Sequence, residues 1–300
     1  MLSCCLAIPT YLREQVLIET IANALALDPS PDEILVIDQT PQHEAETAEF
    51  LRAQQSAGRL RLIELSPPNL PAARNRALAE TGCDVLIFVD DDVRMPKDFV
   101  RHHLANYADA RVGAVAGRVI QPGLRKPKRR SWPPIMDHRF FPLDSMERRE
   151  SVVSLRGCNH SVRASVLRAI GGYDQNYIGW AWCEDSDVAV RIWKSGSRVV
   201  FDPLACLEHL AAPSGGCRMK INNRRLPEWK ISFPGNYFAF RHLFPSRWFW
   251  HDVLWANVRR FVLRRDNVLH PIRLPWALAS YGFSLIRAAR LSLSMSVFKR

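Results

Sequence analysis

The stretch Val85-Leu86-Ile87-Phe88-Val89-Asp90-Asp91-Asp92 passes without a break from five apolar residues to three carboxylates. A short, unbroken apolar run of β-prone residues suits a strand buried on both faces, as in a parallel sheet. The triple negative charge at its end does nothing for stability, because adjacent like charges repel and burying them unpaired costs on the order of several kcal/mol. A cation is expected there. A hard divalent ion such as Mg²⁺ or Mn²⁺ prefers carboxylate oxygens and bridges them to phosphate. The plainer reading is a charged loop after a strand.

The same pattern recurs toward the N-terminus. Leu2 to Ile8 is an apolar run ending at Pro9-Thr10, and Val16, Leu17, Ile21, Ala24 and Leu25 have helical spacing within Arg13 to Leu27. Glu33 to Ile37 stops at Asp38, a polar helix-compatible stretch covers 41–56, Leu60 to Leu65 is a third strand, and Pro71 to Glu80 is a short helix with proline near its start. This alternation predicts βαβ units: an α/β fold with a mostly parallel central sheet, flanking helices and ligands beyond the carboxyl ends of the strands. Thr10, Asp38, Asp90, Asp91 and Asp92 all fall at those ends.

Beyond the aspartates the pattern predicts a strand at Val112 to Ile120 and a long proline-rich loop over 121–150 that covers the site. Further elements follow: a strand near Val152 to Leu155, a helix from Arg163 to Ile170, a helix from Glu184 to Lys194 and a strand from Arg198 to Asp202. Trp180-Ala181-Trp182-Cys183-Glu184-Asp185-Ser186-Asp187 stands at the start of the second helix. The helix dipole and free amides there keep a carboxylate ionised and competent as a base; an acidic helix cap is the simpler explanation. His209, seven residues past Asp202, can complete a metal shell begun by carboxylates. Of Arg74 and Arg76, in Ala72-Ala73-Arg74-Asn75-Arg76, one can pair with phosphate or with Asp90 and the other belongs to a solvated face, and Trp180 and Trp182 offer flat faces to a sugar ring or to the core.

The 300 residues are 47% hydrophobic and 24% charged, which excludes a disordered chain. Residues 218–300 hold sixteen Lys/Arg against three Asp/Glu, so this third carries +13 of the net +11 and the first 217 residues carry −2. Two regions follow: a domain over 1–217 and a basic, aromatic-rich helical region over 218–300. In the latter, Phe249, Val253, Leu254, Asn257, Val258, Phe261 and Val262 recur at steps of three and four, with Asn257 the lone polar member, and a second such segment runs from Pro275 to Phe298. Basic aromatic helices of this kind suit an anionic membrane surface or pack on the core. No nucleic-acid module is present, and no nucleic-acid partner is expected. Leu2 to Ile8 reads as a strand and not as a secretory signal, and no apolar run reaches spanning length. The odd number of cysteines, seven, without a CxxC pair fits a reduced compartment. A cytoplasmic protein, peripheral on the inner face of the cell membrane, is the expectation.

VLIFVDDDVRMP, preceded by NLPAARNRAL and followed by GCNHSVRASVLRAIGGYDQNY and WCEDSDVAVRIWKSGSRVVFDP, resembles the family 2 glycosyltransferases, inverting enzymes of the GT-A fold. The resemblance runs from about Leu2 to Gly216 through several ordered motifs. It implies a nucleotide-sugar donor, most often a UDP-sugar, a divalent metal, and a saccharide or lipid-linked acceptor of the kind used in polysaccharide biosynthesis. Carried over, Thr10 and Asp38 line the nucleoside pocket, Arg74 lies near base or phosphates, and Asp90 contacts the ribose. In the DXD motif Asp92, or Asp91 in a shifted register, holds the metal with His209. Asp185 is the catalytic base, and Asn159 with the turn near Gly157 helps shape the donor sugar pocket; beside this carry-over, Trp180, Trp182 and Glu184 are expected at the sugar pocket from their place next to Asp185. The chain departs from the usual pattern at Gln39-Thr40, where small polar residues are commoner.

Two other readings fit less well. A sugar nucleotidyltransferase should carry a glycine-rich phosphate loop after its first strand, and Ala7-Ile8-Pro9-Thr10-Tyr11 has none. A non-catalytic membrane-docking protein would have no need of the intact set Asp38, Asp90 to Asp92, Asp185 and His209.

Overall fold

The computed structural model describes residues 2–121, 133–137, 146–216 and 228–297. Strands β1 (Cys4–Thr10), β2 (Glu33–Asp38), β3 (Arg61–Glu64) and β4 (Val85–Val89) form the parallel half of one sheet, with α1 (Gln15–Leu25), α2 (Ala45–Ser56) and α3 (Leu70–Glu80) as their crossovers. β5 (Val93–Arg94), α4 (Phe99–Ala105), β6 (Val112–Ile120), β7 (Glu150–Ser151), β8 (Asn159–Arg163) and β9 (Arg198–His209) complete it, in the order β3-β2-β1-β4-β8-β6-β9-β5, with β7 also on β9. Past β4 the sheet is mixed: β8 is antiparallel to both β4 and β6, β6 is parallel to β9, and β5 is antiparallel to β9.

Strand alternation builds three layers. Leu6 and Ile8 of β1, Val36 of β2 and Ile87 of β4 face one side, where Leu17 and Ile21 of α1 and Phe99 of α4 cover them. Cys5, Ala7, Leu35, Leu86 and Phe88 face the other side, against Ala73 and Ala77 of α3, Leu167, and Val188 and Ile192 of the helix Glu184–Lys194. Having no exposed face, these strands read as unbroken apolar runs. The start of α3 is set by Asn69, whose side chain accepts from the Ala72 amide at 2.9 Å, a cap worth about 1 kcal/mol.

Two elements differ from expectation. The run Val152 to Leu155 is buried but lies in no strand; the pairing falls to Asn159–Arg163, whose polar side chains enter a buried hydrogen-bond network. The strand expected to stop at Asp202 runs on to His209, with Ala205, Leu207 and His209 buried in alternation. The expected loop over 121–150 lies outside the described residues except for 121, 133–137 and 146–150.

The chain divides into two compact units, one of Met1–Gln175 and Asp185–Gly216, the other of Asn176–Glu184 and Cys217–Arg300. Among the described residues of the second are the helices Glu228–Phe238, Arg247–Trp250 and Leu274–Val297, with π-helical turns at Ala239–Leu243, His251–Ala256 and Val258–Val262. Asn257, the polar member of an otherwise apolar face, is fully buried and donates to Asn236 Oδ1 at 2.9 Å. Asn236 in turn donates to Ser284 Oγ at 2.9 Å and accepts from the Tyr281 hydroxyl at 3.1 Å, so the polar groups are satisfied inside this core.

Candidate active site

Four strand ends deliver the site. β4 ends at Val89, so Asp90, Asp91 and Asp92 follow at its carboxyl edge, while β5 then pairs antiparallel with β9 and sets Val93 opposite His209. The Leu210 amide donates to the Asp92 carbonyl at 2.9 Å and locks that register. Asp90, Asp92 and His209 thereby place one ligand atom each within 4.8 Å of one another. His209 Nε2 is 3.3 Å from Asp92 Oδ1 and 3.9 Å from Asp90 Oδ2. Gln121 Oε1 can only accept, so His209 Nδ1, at 3.1 Å, donates to it and Nε2 is turned toward the carboxylates. Two carboxylate oxygens and one imidazole nitrogen fit Mn²⁺ or Mg²⁺.

Asp91 points elsewhere. It accepts from the Thr10 hydroxyl at 2.7 Å and from Arg13 Nε at 3.1 Å. Arg13 Nη2 also donates to Asp92 Oδ2 at 3.0 Å, and its Nη1 donates to the carbonyls of Ala212 and Ser214. Burial pushes Asp91 up to about 7 in spite of Arg13 and Thr10. Burial also opposes charge on Asp92, but the His209 bond, the His209 and Arg13 charges and the Ala212 amide outweigh it and hold this carboxyl below the usual range. Asp90 keeps 35% of its side chain exposed, yet desolvation still raises it, with Arg74 opposing and Asp92 adding to the rise. Arg74 is 1% exposed, donates to the Gly157 carbonyl at 2.8 Å, and holds its Nη2 3.9 Å from Asp90 Oδ1. The aspartates thus share two buried guanidiniums.

At the end of β2, Asp38 accepts from the Thr40 amide and is 2.9 Å from His43 Nε2. The unusual Gln39-Thr40 pair is used structurally: Gln39 Oε1 accepts from the Asn69 amide and Thr40 Oγ1 from the Leu12 amide. Asp185 lies in the first turn of Glu184–Lys194, where its carboxylate accepts from the Ser186 amide at 2.6 Å and the Ser186 hydroxyl at 3.1 Å. Asn159 is fully buried, donating to the Arg118 and Ala205 carbonyls and bonded through Oδ1 to His103. In the second unit Trp182 stacks beneath Arg260 at 4.3 Å, Trp180 is 40% exposed and Glu184 is buried. Sequence reasoning missed Arg13, His43 and Gln121.

The family model for Glycosyl transferase family 2 matches residues 5–171, more than half of the chain. The chain belongs to glycosyl transferase family 2. A second model, the N-terminal domain of galactosyltransferase, matches residues 137–209. The chain is 26% identical over 146 residues to a pre-mycofactocin glycosyltransferase of Mycobacterium tuberculosis, a match covering 46% of this chain and 29% of that protein. Among solved structures it is similar to a mannosyltransferase from Pyrobaculum calidifontis in complex with GDP-Man and Mn²⁺, at a TM-score of 0.58 and 18% identity over 99% of this chain and 80% of that one. S. aureus TarS 1-349 superposes with a TM-score of 0.60 at 13% identity, over 97% and 83% of the two chains. The shared architecture is the GT-A fold.

Proposed function

We propose that this family 2 glycosyltransferase moves a sugar from a nucleoside diphosphate to a hydroxyl of a saccharide or lipid-linked acceptor, with inversion at the anomeric carbon. The observation that carries this reading is the convergence of Asp90, Asp92 and His209 within 4.8 Å at the carboxyl ends of the strands. The mannosyltransferase of the same fold holds GDP-Man and Mn²⁺, which supports a nucleotide-sugar donor and a divalent ion here. Asp90, Asp92 and His209 would hold Mn²⁺ or Mg²⁺, which when bound offsets negative charge on the diphosphate.

Arg74 adds a fixed, desolvated positive charge beside Asp90 and so favours an anion at this edge. Thr10 and Asp38, at the ends of β1 and β2, are assigned to the nucleoside side, with Asp38 held in place by Thr40 and His43. Asp91 fixes Thr10 and Arg13 from behind. Asn159, held by two backbone carbonyls, stiffens the floor of the donor sugar pocket.

Asp185 takes the acceptor proton. As it does, the hydroxyl oxygen bonds to the anomeric carbon while the carbon–diphosphate oxygen bond breaks on the opposite face, and one displacement inverts the centre. The Ser186 amide and hydroxyl orient the Asp185 carboxylate and leave its other oxygen for the acceptor.

The test is NMR of the newly formed glycosidic bond for the wild type and Asp185→Asn. The expected product has inverted configuration, and the variant loses about 10² to 10⁴-fold in rate. Transfer undiminished in Asp185→Asn removes this residue as the base, and a retained configuration removes the single displacement.

A further inference from the structure

The helix Leu274–Val297 of the second unit has two faces. Ala277, Tyr281, Ser284 and Ala288 are buried, and Tyr281 with Ser284 belongs to the Asn236–Asn257 network. Nearly opposite, at steps of three and four, Trp276, Ala279, Phe283, Ile286 and Arg290 are exposed. Trp276 is 71% exposed, Ile286 54% and Phe283 48%, and Ile272 just before the helix is 90% exposed. The stripe is about 20 Å long at 1.5 Å per residue. Exposed apolar residues scattered singly are ordinary, whereas a helical stripe of large ones marks an interaction surface.

The charges around the stripe say what covers it. The helix contains no acidic residue, and Arg287 and Arg290 lie beside the apolar side chains, with Arg273 exposed at its start. Across residues 228–297 ten Lys/Arg face three Asp/Glu. A second copy pairing through this stripe would set Arg287 and Arg290 against a helix with no carboxylate to meet them, and nucleic acid would leave the Trp, Phe and Ile faces in water. A bilayer with anionic headgroups satisfies both components: rings and branched chains enter the interface while arginines extend to the lipid phosphates. Among the described residues no helix is long and apolar enough to cross a membrane, which matches a helix lying in the interface plane.

We infer that the stripe Trp276–Phe283–Ile286, with Ile272 before it and Arg273, Arg287 and Arg290 around it, docks this chain on an anionic lipid bilayer. The inference stands on the second unit alone and does not depend on the donor chemistry proposed above, so either can fail without the other.

The experiment is flotation of the full chain with phosphatidylcholine vesicles, with and without phosphatidylglycerol, at low and high salt. Binding is expected only with phosphatidylglycerol and weakens with salt. The pair Trp276→Ser and Ile286→Ser lowers the partition coefficient on the order of tenfold. The pair Arg273→Glu and Arg290→Glu abolishes the preference for phosphatidylglycerol. All four side chains are exposed, so both variants should unfold at the wild-type temperature; because the two pairs act on different components, each tests the surface separately. No vesicle binding, equal binding to neutral and anionic vesicles, or wild-type binding by either variant overturns the proposal. So does sedimentation showing a wild-type dimer that the Trp276 and Ile286 substitutions convert to monomer.

Discussion

His209 Nε2 lies 3.3 Å from Asp92 Oδ1 because β5 and β9 set Val93 and His209 opposite each other. The proposed metal ligand His209, more than a hundred residues downstream of the aspartates, is thus placed by one short ladder. Its orientation depends on Gln121, which fixes which ring nitrogen faces the carboxylates. Gln121→Ala should weaken Mn²⁺ binding about 10- to 100-fold while leaving the unfolding temperature of the metal-free protein near that of the wild type. Isothermal titration with Mn²⁺ measures the first and scanning calorimetry the second; an unchanged Mn²⁺ affinity would remove Gln121 from this role.

Adjacent aspartates have separate duties. Asp90 and Asp92 share a side and meet His209, whereas Asp91 turns to Thr10 and Arg13. Asp92→Asn should therefore abolish Mn²⁺ binding in the accessible range, and Asp91→Asn should weaken it by no more than about 10- to 100-fold, as expected of a group acting through neighbours. The same titration on both variants decides it, and the reverse order of effects contradicts the assignment.

Arg13 bridges two buried carboxylates and two loop carbonyls. Removing one partner of such a group leaves uncompensated charge, so Arg13→Ala should lower stability by about 3–5 kcal/mol. Added Mn²⁺, by supplying positive charge, should recover more stability in this variant than in the wild type. Denaturant unfolding with and without Mn²⁺ reads both quantities, and a loss below about 1 kcal/mol would place the Arg13 bridge among surface ion pairs in energy.

His103 is buried between Ser161 and Asn159, and burial lowers its pKa from 6.5 to about 4. In the window between those values the unfolded chain binds a proton that the folded one refuses, so this histidine's contribution is complete above 6.5 and is lost as pH falls to about 4. The slope it adds is about 1.4 kcal/mol per pH unit. Stability measured against pH for the wild type and His103→Gln should differ by that slope, and parallel curves would contradict a neutral buried His103.

Much of this site was legible in the sequence because a two-sided buried strand must be apolar throughout, so charge at its end stands out. Val85 to Val89 followed by Asp90 to Asp92 showed the edge at once, and Thr10 and Asp38 marked the same edge from other strands. The division of the three aspartates was not legible, because β4 ends at Val89 and the partners that separate them, His209 for Asp92 and Thr10 and Arg13 for Asp91, come from elsewhere in the chain. The strand end at His209 was not read from the sequence, because the apolar run stops at Asp202 and the alternation of Ala205, Leu207 and His209 becomes evident only from their burial. Arg13 and Gln121 had no signal either: an isolated arginine or glutamine gains its role only from side chains that the fold brings from far along the chain. Asn159–Arg163 escaped for a related reason, because its polar residues are buried by hydrogen bonding to His103, Tyr107 and Tyr173 instead of by apolar contact.

The central claim is that Asp90, Asp92 and His209 form the metal centre of a nucleotide-sugar site. Thermal unfolding of the wild type and Asp92→Asn with a panel of nucleoside diphosphates, UDP and GDP first, with Mn²⁺ and with EDTA, tests it directly, since a ligand that binds only the folded state raises the midpoint. The predicted result is a rise with at least one diphosphate in the wild type with Mn²⁺, absent with EDTA and absent in Asp92→Asn. A rise of equal size with EDTA or in the variant, or no rise with any diphosphate, would contradict the account.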